Sequence, residues 1–324
     1  MSTTQCAVFA PFTAPSAETL FPRILLGIDF GSASLAAARW ATTYVASGAH
    51  AIVSHVVPLP AMLPGDDTKT SRAASLRQMA PALAGGLGGF AATLNAETVR
   101  TVVRFGRPSH WLSMIANAAD ASLSVLGRRG DANRTRIGEP NVIERLARRT
   151  SASVLVVPEG TVDAPRHILA AVDESDLAPH VVRVARSLAR LHDVPLTVLH
   201  VLSPVTGTYD RVIRSARQLL GGARRIRPAE RFDLPHPAAA ATARWLEELA
   251  GPPDSTGFDR TRIAQGDPAS EIVTIAMMNG ASLIVVGLRG DDDAPHGSIG
   301  SVARELLTRA PVPVLAVNAT PPDP

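Results

Sequence analysis

Residues 281–317 read ASLIVVGLRGDDDAPHGSIGSVARELLTRAPVPVLAV, and the fold follows from how that stretch divides. Ser282–Val286 is a short, β-branched apolar run that suits a strand buried on both faces. Gly287, Gly290 and Gly300 then punctuate a loop, and Ser301 stands where a helix N-cap is expected. Apolar residues recur at helical spacing over Val302–Arg309, Pro311 ends that helix, and Val312–Val317 is a second apolar strand. Glycine after a strand lets the backbone turn sharply and keeps a Cβ out of the way of a polyanion. A Gly-Ser pair opening a helix adds free amides, a hydroxyl and the positive end of the helix dipole, which together suit phosphate.

Working outward, the same order occurs twice. Arg23–Phe30 is the first strand of one half and Ile168–Asp173 that of the other. Helices follow over Ser32–Ser47 and Leu177–Leu191, then second strands over Ala51–Val57 and Pro195–Leu202. Third strands (Thr98–Arg104 and Ile263–Gln265) lead through Gly106-Arg107-Pro108 and Gly266-Asp267-Pro268 into helices at Trp111–Ala119 and Ile272–Met278. Leu123–Leu126, Val142–Arg149 and Ser153–Val157 complete the first half as residues 282–317 complete the second. Gly106/Gly266, Gly130/Gly290 and Val142/Val302 are each 160 residues apart, while Asp29/Asp173 are 144 and His55/His200 are 145 apart. The second half therefore holds about fifteen additional residues between its second and third strands. In the first half that connection carries a helical run near Ser71–Met79, and Gly85–Gly89 reads as a break.

Strand alternating with helix specifies a parallel sheet with right-handed crossovers and helices on both faces. The expected fold is α/β: two repeated doubly wound domains, each a five-stranded, mainly parallel sheet. The expected boundaries are an arm at 1–22, a first domain at 23–158, a linker at 159–165, a second domain at 166–317 and a tail at 318–324. In such sheets a ligand sits beyond the carboxyl ends of the strands, where the strand order reverses.

The spacing Gly287-x2-Gly290-x9-Gly300-Ser301, followed by Val302 and by APVPVLAV at 310–317, resembles the nucleotide-binding signature of the universal stress protein family. The resemblance implies a tandem member whose crevice lies between first and fourth strands and takes ATP, with or without Mg²⁺. It implies that Asp173 accepts hydrogen bonds from ribose or adenine and that Val201 and Val286 flank the base. Gly287, Arg289, Gly290, Gly300, Ser301 and Val302 would line the phosphates. Read without the resemblance, Asp173 can be a helix N-cap and the valines ordinary core. The resemblance also implies pairing through terminal strands. Ser153–Val157 and Val312–Val317 are apolar edges that invite it, so an intrachain pseudo-dimer is expected, with a homodimer left open.

The first half keeps Asp29, Val56, Gly127, Arg129 and Gly130 at the matching positions but has Pro140-Asn141 where the second has Gly300-Ser301. Proline removes an amide that phosphate would use, although Asn141 can still cap the helix. Arg128, Arg129, Arg134 and Arg136 make that loop cationic, so it either holds phosphate by side chains or is merely solvated. The second half is the expected better site. Its own loop holds Asp291–Asp293 and His296, which either recruit a divalent cation beside the phosphates or form a solvated tip. His55 and His200 end equivalent strands with no nucleophile spaced to use them, so both are expected to be packed and hydrogen-bonded. An arginine-rich stretch, Tyr209–Arg231, has a partly amphipathic pattern and would meet an acidic partner or nucleic acid, or stay solvated.

Composition narrows the function classes. Net charge is only +3 despite a pI near 9.7, and aromatics make up 4%, which argues against a dedicated nucleic-acid binder. The lone Cys6 excludes an intrachain disulfide and fits a reducing compartment. No basic secretory leader and no long apolar span stand out, so a soluble, cytoplasmic protein without membrane contact is expected. Neither a nucleophile–base set, a metal-ligand cluster nor a complete P-loop occurs. The expected function is an adenine-nucleotide-binding regulatory module in stress response with little or no turnover. The alternatives are a Mg-dependent nucleotide hydrolase or adenylating enzyme of related fold, or a nucleotide-independent scaffold acting through protein contacts.

Overall fold

Runs of Val, Ile, Leu and Ala with no polar alternation can lie only in strands covered on both faces, and the covering helices come from the connections between them. A computed structural model of the 324-residue chain describes residues 19–58, 78–129, 142–202, 239–251, 259–289 and 298–319. The first half runs β1 (Arg23–Ile28), α1 (Ser32–Tyr44), β2 (His50–Val57), α2 (Ala80–Ala91), β3 (Thr98–Phe105), α3 (Pro108–Ala118), β4 (Leu123–Arg128), α4 (Val142–Arg149) and β5 (Ser153–Pro158). The second runs β6 (Ile168–Val172), α5 (Ala178–His192), β7 (Leu196–Leu202), α6 (Ala239–Ala250), β8 (Asp259–Gln265), α7 (Pro268–Met278), β9 (Leu283–Gly287), α8 (Ser301–Arg309) and β10 (Val314–Val317).

The ten strands form one sheet in the order β3-β2-β1-β4-β5-β10-β9-β6-β7-β8. Within each half every pairing is parallel, and the halves meet through an antiparallel pair in which Leu315 faces Leu155 and Val314 faces Val156. Two apolar layers flank the sheet, and each is continuous from one half to the other. On one face α1 and α5 meet across the seam, where a ring nitrogen of His192 lies 2.6 Å from the Tyr44 carbonyl. On the other, α4 packs on α8. The two apolar edges expected to pair do so inside this chain.

Two expectations need correction. Gly85–Gly89 does not break a helix: α2 runs through it, because Leu87, Phe90 and Ala91 are buried under the sheet. That burial, about 1.5–3 kcal/mol for each large side chain, outweighs roughly 1 kcal/mol per helical glycine. Ser301 is not an N-cap either. Gly300 is the cap residue, extended at φ −57° and ψ 143°, and Ser301 begins the helix. The segments 203–238 and 290–297, with the arginine-rich stretch, Gly290, Asp291–Asp293 and His296, lie outside the described residues, as do Gly130, Pro140 and Asn141.

Candidate functional site

The chain reverses its direction across the sheet at β6. From there one connection leads to β7 on one side, and β9 lies on the other. Register brings three strand ends together: Val172 is level with His200 on β7, and Ala171 is level with Val286 on β9. Asp173, Val201 and Gly287 therefore stand side by side at the carboxyl mouth. Val201 and Val286 are buried, whereas Asp173 is exposed. One Asp173 oxygen, Oδ1, accepts from the Ser175 amide at 3.3 Å and the Ser175 hydroxyl at 2.5 Å. It does not cap a helix, since α5 starts only at Ala178.

The start of α8 is fixed to the same place by a short ladder. Leu288 donates its amide to the Val317 carbonyl at 2.7 Å, and its own carbonyl accepts from Gly300 at 3.0 Å. The loop ends are thus closed on each other, and no side chain caps the amides of the first turn of α8. A Cβ on Gly287 would lie 3.1 Å from both the Arg289 carbonyl and a Leu177 methyl, a tight fit that would push its neighbours back by a few tenths of an ångström. Arg289 is partly buried, and its Nε is buried without a hydrogen-bond partner among the described residues. A buried guanidinium N–H with nothing to donate to is costly and suits an anion arriving at that mouth.

The corresponding mouth of the first half is occupied by its own side chains. Arg129 turns back to Asp29 (Nη2 to Oδ2, 3.6 Å), and its guanidinium covers the Gly31 backbone. Asp29 also accepts from the Gly31 amide at 2.8 Å and the Ser34 hydroxyl at 2.6 Å. Phe30, held at φ 60°, places its ring 4.6 Å from that of His55. Gly127 serves close packing, for a Cβ there would strike the Ala33 carbonyl oxygen at 2.3 Å. Val56 is buried beside this mouth. Both histidines are held as packed groups: a ring nitrogen of His55 lies 2.7 Å from the Ile28 carbonyl, and one of His200 lies 2.9 Å from that of Val172.

Burial alone would raise the Asp29 carboxyl, but the Ser34 hydroxyl, the Gly31 amide and the Arg129 charge outweigh it and hold the group below its ordinary 3.8. A lowered value means the stability it contributes is complete above 3.8 and is lost as pH falls through the folded value. Asp29→Asn should therefore unfold at lower urea than wild type at neutral pH, and the two midpoints should converge in acid. The effect is small because the pair is 61% and 65% exposed. Urea midpoints taken from roughly pH 7 to roughly pH 2.5 read it, and a gap that widens in acid would contradict this account.

The signal for the first-half closure was present in the sequence only as an Asp-Phe-Gly triplet facing a distant arginine. Nothing in spacing announces that such groups fold onto one another.

The profile described as Universal stress protein family matches residues 20–158 and again 165–318. The chain belongs to the universal stress protein family and carries its fold twice in tandem. A universal stress protein of Thermus aquaticus is 32% identical over 152 residues, 47% of this chain and 97% of that protein. Universal stress protein YxiE of Bacillus subtilis is 28% identical over 155 residues, 47% of this chain and 97% of its own length. In fold the whole chain is similar to a universal stress protein from Archaeoglobus fulgidus, with a TM-score of 0.57 at 18% identity, covering 92% of this chain and 98% of that one. No helix among the described residues is long and apolar enough to cross a membrane.

Proposed function

We propose that the chain is an adenine-nucleotide-binding regulatory module whose second half takes ATP and whose first half does not. The observation that carries this reading is the contrast between two equivalent mouths. In the second, Asp173 has no ion pair among the described residues and a helix start lacks a side-chain cap; a buried guanidinium nitrogen without a partner occurs in both halves, on Arg289 and on Arg128. In the first, Arg129 already lies against Asp29. Asp173 would accept from a ribose hydroxyl or the adenine edge, Val201 and Val286 would bound the base, and the backbone of Gly287, Gly300, Ser301 and Val302 with Arg289 would hold phosphate. Ser301 is free to contribute its hydroxyl because it is not spent on capping. Among the described residues no group of three potential ligands gathers for a metal.

Little or no turnover is part of the proposal, because the candidate bases His55 and His200 already have backbone partners and sit with no nucleophile beside them. Regulation would then arise from whatever conformation of the tandem binds ATP more tightly. Calorimetric titration with ATP tests the assignment. Asp173→Ala should weaken binding by roughly tenfold or more, as expected for a lost hydrogen bond to a charged group, and Asp29→Ala should leave it unchanged. Loss in Asp29→Ala alone would transfer the site to the first half. Sustained magnesium-dependent ATP hydrolysis by the wild-type chain would favour the enzyme reading.

A further inference from the structure

We infer that the first half carries a second anion site, unrelated to the nucleotide mouth, which takes a small polyphosphate in a pocket between α3 and α4. The pocket has a volume of about 440 Å³ and is lined by Arg107, Ser109, His110, Arg145, Arg148 and Arg149. That volume falls within the range of small-molecule sites. Four guanidinium groups and no carboxylate face it. None of the four makes an ion pair among the described residues.

Ser109 is 5% exposed and borders the cavity from the first turn of α3. Arg145, Arg148 and Arg149 share one face of α4 by their i, i+3 and i+4 spacing. Arg107 approaches from the start of α3, where it is the N-cap residue and no side chain caps the helix. Like charges gathered at one cavity repel each other, and a multivalent anion relieves that repulsion while offering acceptors to every fork.

The repeat supplies an internal comparison. At the 160-residue offset the six positions hold Asp267, Ala269, Ser270, Glu305, Thr308 and Arg309. There Asp267 accepts from the Ser270 amide at 3.2 Å to cap α7, and Arg309 is 3.4 Å from Glu305. The same packing of two helices is therefore built without a cluster of unpaired arginines. The helix packing does not require them, and a polyanion would give them a common use.

A strand of nucleic acid fits less well. The pocket is a single half-open cleft rather than an extended charged stripe, and the only ring at its lining is His110. The shared chemistry of the site is that of pyrophosphate, tripolyphosphate or a polyphosphorylated metabolite.

Tripolyphosphate is the probe, titrated by calorimetry into the full chain and into a Gly300→Pro chain whose nucleotide cradle is impaired. Binding should persist in Gly300→Pro and weaken as salt rises. Adding Arg145→Gln and Arg148→Gln should cut the affinity at least about tenfold, with the melting temperature in the absence of anion unchanged or raised. Ser109→Ala should give a smaller, few-fold loss. Affinity indifferent to the arginine substitutions overturns the proposal, as does absence of binding in the wild-type chain, or binding of single-stranded DNA without tripolyphosphate. Tripolyphosphate binding lost in Gly300→Pro but kept in the double glutamine variant would leave the nucleotide reading intact and remove this one. ATP binding lost with the pocket still active would do the reverse.

Discussion

Gly300→Pro should abolish ATP binding by the second half while leaving the protein folded. The native φ of −57° at Gly300 already suits a proline ring, so the substitution introduces no dihedral strain. What it removes is the amide that donates to the Leu288 carbonyl at 3.0 Å. That bond ties the start of α8 to the end of β9 and sets where the first-turn amides point. Its loss costs only about 1 kcal/mol of stability, but releasing the helix start withdraws several amides from phosphate together. Two lost hydrogen bonds to a charged group, at roughly 1.5–3 kcal/mol each, correspond to roughly a hundredfold weaker binding or more. The first half has this substitution naturally: Pro140 occupies the matching place and has no N–H to give. There the Arg128 carbonyl is instead matched by the Glu159 amide at 2.8 Å. Calorimetry with circular dichroism on the same samples decides the matter. Undiminished ATP affinity in a folded Gly300→Pro protein would show that the helix start takes no part.

The features legible in the sequence were those carried by local pattern. Strands β1, β4, β6 and β9 are largely apolar runs followed by a glycine or a carboxylate, and offsets of 144 residues for β1/β6 and 160 for β4/β9 related them before any pairing was known. The seam was legible for the same reason, since Val-Leu-Ala-Val and Ser-Val-Leu-Val-Val have no polar face to leave in water. Features that depend on side chains meeting across long separations were not. Arg129 reaches Asp29 across a hundred residues of chain, beside the place where α1 packs closely on Gly127. The arginine pocket joins residues 107–110 to 145–149 and becomes visible only when α3 and α4 lie together. Its sequence trace was Arg145 opposite Glu305 in the repeat, a comparison that motif reading passes over. Helix α2 was misjudged because glycine propensity is local, whereas the burial of Leu87 and Phe90 that overrides it is tertiary.

The second large effect concerns the seam. Leu155 and Leu315 face each other in the antiparallel pair and are both fully buried, so Leu155→Ala and Leu315→Ala should each cost about 2–5 kcal/mol. Because they share one contact, the double variant should depart from additivity by about 0.5–3 kcal/mol. The consequence for cooperativity is larger than either loss. Both apolar layers run unbroken through β5 and β10, so the wild-type halves are expected to unfold together. The connection between β5 and β6 is short and tied down, with the Trp40 indole donating to the Asp163 carbonyl at 2.8 Å. It keeps the two edges at high effective concentration and favours pairing within the chain over pairing between chains. Weakening the seam should leave that tether but uncouple the cores. The three tryptophans report this directly: Trp40 and Trp111 lie in the first half and Trp245 in the second. In chains retaining one tryptophan at a time, wild-type urea midpoints should coincide, and those of the double alanine variant should separate. Midpoints that move together in the double variant, by less than about 1 kcal/mol in all, would mean that the flanking helix contacts, and not the strand pair, bind the halves into one cooperative unit.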